Sequence, residues 1–187
     1  LRKRWSHLVL LAALATVVMQ FGWVGKFFEA SKVLVAMAVF IGFVFLFVLA
    51  FLYGHRRDQV EKTLSAAAIM MPASALSFAF YLLLHPYPTL VGNPALLFTF
   101  AFAADIALLI IAALRIELRP THLWAGVVCF LLLMIWTLQF LKPASLNWAL
   151  SFYLLFAVVH AVSPVVLEKW RPAGRPVWWV HLFVVAS

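Results

Sequence analysis

Apolar residues fill six stretches of this chain on every helical face, and the polar residues collect in the gaps between them. The stretches cover residues 8–24, 33–53, 64–84, 95–114, 123–141 and 148–167, and a seventh opens at Val177. A hydrocarbon layer about 30 Å thick takes roughly 20 helical residues at about 1.5 Å each, so each complete stretch predicts one membrane-spanning helix. The runs do not alternate with period two, which argues against barrel strands, and in lipid only helices or closed barrels satisfy every backbone group. The predicted fold is all-α: a polytopic transmembrane helical bundle of six full spans plus the start of a seventh, forming a single transmembrane helical domain over residues 1–187.

The gaps are short, as an up-and-down bundle requires, and Pro86, Pro88, Pro94, Pro120, Pro143, Pro172 and Pro176 mark loops or helix starts. Pro72 and Pro164 instead fall inside spans, where each frees the carbonyl four residues before it, at Ala68 and His160. Kinks are expected at both places. Pro72-Ala73-Ser74 and Pro143-Ala144-Ser145 precede similar Ala-Leu-Ser-Phe segments three spans apart, the arrangement two inverted halves would show. The start of the chain imitates a signal peptide, but its apolar run continues to Val24 and reads as a span. Because the sequence opens on Leu1 and closes inside an apolar run, it is expected to be part of a longer protein.

Composition narrows the function classes. The chain is 67% hydrophobic and 11% charged, against about 45–50% and about 25% in soluble domains. That balance excludes a soluble enzyme, a nucleic-acid binder and a disordered chain, and makes the lipid bilayer the first partner. The net charge of +8 therefore reports orientation. With connections assigned alternately to two sides, 11 of the 14 basic residues fall on the side of the N-terminus, including Arg56, Arg57, Lys62, Arg115, Arg119, Lys169 and Arg171, while Lys26, Lys32 and Lys142 fall on the other. Cytoplasmic loops carry the excess of Lys and Arg, so the N-terminus is expected in the cytoplasm. Trp5, Trp23, Tyr53, Tyr87, Trp124, Trp148, Trp170, Trp178 and Trp179 lie at span ends, where amphipathic rings meet the headgroups, and Trp136 lies deeper.

Few residues offer chemistry. Asp105 is the one acid inside a span, and a central Asp costs about 2.5 to 3.5 kcal/mol on insertion scales. Small residues at Ala101, Ala104 and Ala112 let another helix approach it. It serves either as polar glue between helices or as a proton carrier in transport. His160 lies about two thirds of the way along its span, and its ordinary reading is a neutral ring bonded to a carbonyl. Its depth, like that of Ser74 and Ser77, also suits a proton relay or polar substrate site with Asp105. His7, His55, His85, His122 and His181 are placed near the interfaces, so the facing pair that haem would require is not expected. Gln20 and Gln139, near the outer ends of their spans, are expected to be solvated or bonded locally. Cys129, alone in an apolar stretch, offers neither a disulfide nor a cysteine metal cluster. No catalytic residues, no cofactor and no metal-ligand spacing are read.

Gly22-Trp23-Val24-Gly25-Lys26-Phe27-Phe28 and Phe156-Ala157-Val158-Val159-His160-Ala161-Val162-Ser163-Pro164 resemble segments of a large bacterial family of multi-span predicted membrane proteins with an uncharacterised domain. The resemblance implies a slice of a longer chain, a bacterial source and the inner membrane, and it supplies no activity or catalytic residues. Three functional expectations remain. The first is a non-enzymatic structural or accessory subunit packing with other membrane subunits, favoured by the scarcity of polar residues in the spans. The second is a transporter or proton-coupled permease component using Asp105. The third is an enzyme on lipid-linked substrates, for which Lys26, Glu29, Lys32, His85 and Lys142 make a thin set of groups at the outer headgroups.

Overall fold

A computed structural model describes residues 6–57, 62–85, 87, 90 and 94–172. Among them every regular element is helical, and six helices are long and apolar enough to cross a membrane. They are α1 (Ser6–Phe27), α2 (Val33–Arg56), α3 (Lys62–Leu84), α4 (Pro94–Leu114), α5 (Arg119–Phe140) and α6 (Leu146–Trp170). The expected seventh span, Trp5, Trp178, Trp179 and His181 lie outside the described residues, as do the basic residues before Ser6 and Arg175. Three single-turn 3₁₀ segments, Ala30–Lys32, Ile116–Leu118 and Pro143–Ser145, lead into α2, α5 and α6.

The helices start two to four residues earlier than their apolar runs in four cases, α1, α3, α5 and α6, and α5 shows why. Pro120 occupies its first turn, where a missing N–H costs nothing and the fixed φ suits a helix. Arg119, Pro120, Thr121 and His122 are thereby helical, ahead of the first apolar residue of the run. Pro72 and Pro164 lie within the continuous helices α3 and α6.

The centre of the bundle is α3 and α4. The α3 helix packs against α1, α2, α4 and α5, and α4 packs against α2, α3, α5 and α6. In the most apolar part of each span, 61% of α3 and 56% of α4 is buried, against 17% of α1 and 22% of α6, so the outer helices present most of their apolar surface to lipid. Rings tie the core together: Phe40 stacks on Phe78 at 4.3 Å, and Phe28 sits edge-on to Phe78, Tyr81 and Tyr87. The deep Trp136 is buried edge-on against Phe98, whereas Tyr53, Trp124, Trp148 and Trp170 are exposed near helix ends, as membrane belts require.

Two sequence expectations change here. Pro72-Ala73-Ser74 lies in the middle of α3, whereas Pro143-Ala144-Ser145 forms the turn before α6, so the two segments do not occupy equivalent places in inverted halves. Gln20 is buried, with neither side-chain amide atom hydrogen-bonded among the described residues, because α1 lays that face against the bundle. Gln139 is exposed, as expected.

Candidate intramembrane polar site

One face of α6 is buried, formed by Ala149, Phe152, Phe156, His160, Ser163 and Leu167. The spacings of three and four residues make a single stripe along a helix, and two of its positions are polar. The facing stripe on α5 includes His122, Gly126, Cys129, Leu133 and Trp136. The α4 helix closes the third side with Ala101, Ala104, Asp105, Leu108 and Ala112. Asp105 is thus held where three helices meet, and its side chain is wholly shielded.

Both carboxylate oxygens face imidazoles. Asp105 Oδ2 lies 3.1 Å from His160 Nε2 in hydrogen-bond geometry. Asp105 Oδ1 lies 3.3 Å from His122 Nδ1, but the alignment is not that of a hydrogen bond, and both atoms are otherwise unpartnered. The other ring nitrogen of His122, Nε2, shares a hydrogen bond of 2.9 Å with Ser163 Oγ. The two imidazoles stack at 4.3 Å with 20° between their planes. Beneath His160, a Cβ on Gly126 would stand 2.7 Å from Nδ1 and 2.8 Å from Cε1, so the close approach of α5 to this ring requires glycine. The rings of Phe130 and Phe156, 6.2 and 6.5 Å from His160 between centroids, form part of an apolar shell.

The cluster lies nearer one end of the bundle. Asp105 is nine residues before the end of α4 and His160 ten before the end of α6, roughly 14 and 15 Å of helix. His122 is three residues into α5, roughly 5 Å. At that end two arginines tie the helix ends together. Arg119 donates to the Leu167 carbonyl at 2.8 Å, to the Arg171 carbonyl, and to Glu168 Oε2 at 2.8 Å. Arg171 donates to the Leu114 carbonyl at 3.0 Å. Guanidinium groups here donate to carbonyls at the helix C-termini, adding to the backbone bond that Leu167 already accepts from Arg171 N–H, and their charge suits the negative ends of the helix dipoles.

Of the residues picked out from sequence, the structure brings Asp105 and His160 together. Ser74 and Ser77 are occupied elsewhere: Ser74 donates to the Met71 carbonyl at 2.7 Å, and Ser77, which is exposed, donates to Ala73 at 2.9 Å. These are ordinary helical back-bonds. His122 stands three residues into α5, near the helix end as the sequence placed it, but it is packed against the neighbouring helices, to 2% exposure, and joins the cluster. A histidine pair at one depth therefore exists, contrary to expectation, but its rings stack directly on one another, which leaves no space for a macrocycle between them. Ser163 and Gly126 were also missed. Their signal was helical spacing: Ser163 follows His160 by three residues, and Gly126 follows His122 by four. No protein-family model, curated protein or solved structure matches the chain, so the functional reading rests on this geometry.

Proposed function

We propose that the chain is a transport component of a bacterial inner membrane, with its N-terminus in the cytoplasm, a further span opening at Val177, and Asp105 as the group that takes up a small cation. The observation that carries the reading is the placement of both oxygens of a fully buried carboxylate against two imidazoles at the junction of three helices. Packing does not account for it. Interhelical hydrogen bonds in lipid contribute about 0.6 to 2 kcal/mol, and of the two imidazole contacts only that of His160 has hydrogen-bond geometry, so it falls short of the roughly 2.5 to 3.5 kcal/mol that a central Asp costs. A shortfall retained in the middle of a bundle is the mark of a working residue. The asymmetry of basic residues supports the orientation.

The test is aqueous access. In the full chain carrying Cys129→Ser and Asp105→Cys, a membrane-impermeant thiol reagent is expected to label position 105 from at least one side of the membrane. Folded protein left unlabelled from both sides, while denatured protein is labelled, would overturn the reading. A second reading, an accessory subunit of a larger membrane assembly, is favoured by the apolar faces that α1 and α6 leave uncovered, with Leu11, Met19, Leu154 and Val165 among them. On that reading its partners are other membrane subunits as well as lipid, and co-purification of a stoichiometric second subunit would support it.

A further inference from the structure

We infer that Asp105, His122 and His160 form a binding site for a divalent first-row transition-metal cation, and that this is the cation the bundle carries. The inference deepens the transport reading by naming the class of its substrate, and the second half of it rests on that reading.

The donor set comes first. One ligand atom from each of the three residues can be chosen so that all lie within 4.8 Å of one another, and all three residues are buried. Around an ion bound at about 2.0 to 2.2 Å, tetrahedral donors stand about 3.4 Å apart. The two carboxylate-to-imidazole distances are 3.1 and 3.3 Å, so modest side-chain shifts would bring the donors around one ion. Two imidazoles and a carboxylate suit zinc, ferrous iron and their neighbours, whereas magnesium and calcium select all-oxygen sets. The choice of donors therefore fixes the class of cation.

The second observation is the unmade bond. Asp105 Oδ1 and His122 Nδ1 face each other at 3.3 Å, both are buried, and each has only the other, out of hydrogen-bond alignment, as its polar neighbour. Buried polar atoms are almost always partnered. When Nε2 of His122 carries the ring proton and donates it to Ser163 Oγ, Nδ1 presents a lone pair to a carboxylate lone pair. A cation between them satisfies both at once. The Ser163 contact at 2.9 Å is the kind of outer partner that orients a ligating imidazole. Gly126 gives the backbone clearance that holds the His160 ring in place.

The test uses purified full chain in detergent, with Co²⁺ as the spectroscopic probe and Zn²⁺ as the competitor. Wild type is expected to take up about one Co²⁺ with visible ligand-field bands, and Zn²⁺ should erase them. Asp105→Asn and His122→Gln should abolish uptake, and Ser163→Ala, which keeps every ligand and tests against misfolding, should weaken it about 10- to 100-fold. Folded wild type that binds neither ion, or binding that survives in both Asp105→Asn and His122→Gln, would overturn the site. Zn²⁺ flux into proteoliposomes, lost in Asp105→Asn, is expected if the ion is carried. Binding without flux overturns carriage and leaves a fixed metal site. Labelling at position 105 without metal binding removes the metal and leaves the transport reading standing.

Discussion

At the scale of single residues, the site depends on how closely α5 approaches His160. The Gly126 position has no room for a methyl group, since its Cβ would stand 2.7 Å from the imidazole. Overpacking of this kind costs about 1 to 3 kcal/mol, and the ring, held by Asp105 and flanked by Phe156, has little freedom to retreat. Gly126→Ala is expected to lower the thermal midpoint and to weaken Co²⁺ binding at least tenfold. Titration and thermal unfolding of the same preparation check this, and no change in either would show the pocket to be slack. Asp105→Asn keeps the shape and removes the charge. The amide oxygen still accepts from His160 and the change leaves no charge at position 105 unpaired, so its unfolding free energy should stay within about 1 kcal/mol of wild type. A loss above about 3 kcal/mol would make Asp105 a packing residue.

At the scale of elements, basic residues of the connections fasten the helix ends. Arg119 stands one turn before His122 and donates to the end of α6, while Arg171 reaches back to the last carbonyl of α4. Three helix ends are thus joined on the side nearer the polar cluster. Hydrogen bonds made by charged groups contribute about 1.5 to 3 kcal/mol, and the Arg119 side chain is only 14% exposed, so solvent screens it weakly. Arg119→Gln is expected to destabilise the bundle by about 2 kcal/mol and to increase thiol labelling at position 105 from the cytoplasmic side in the Cys129→Ser, Asp105→Cys background. Unchanged labelling would separate the latch from access to the site. The apolar runs showed where these helices lie, but not that α5 starts early enough to include His122, nor that His122 is packed against the neighbouring helices. A hydropathy pattern stops at the first polar residue, whereas a helix stops where its backbone bonds end.

At the scale of the whole molecule, the alternation of short connections gives a topology that can be checked directly. With Cys129→Ser as background, Arg57→Cys is expected to react with an impermeant thiol reagent only from the cytoplasmic side, and Lys142→Cys only from the opposite side. Labelling of both from one side would break the up-and-down order. The central position of α3 and α4 also predicts where damage spreads. Substitutions on their buried faces should unfold the bundle, whereas polar substitutions at lipid-facing positions of α1 or α6, such as Met19 or Leu154, should act through membrane insertion instead.

The sequence alone determined that this chain lives in lipid, because 67% hydrophobic residues and six all-round apolar runs leave backbone groups no solution but helices. It also singled out Asp105, since one acid within a span is conspicuous and its energetic cost follows from composition and depth. Only the tertiary structure decided what Asp105 meets. His122, Gly126, His160 and Ser163 lie on two helices packed against a third, and their chain separations of 17 to 58 residues from Asp105 carry no periodicity that would announce a contact. The meeting of these side chains is set by helix rotation and by which faces pack, and near-uniform apolar faces encode rotation weakly. Ser74 and Ser77 show the converse, because depth suggested a shared site while helical back-bonds used their hydroxyls locally.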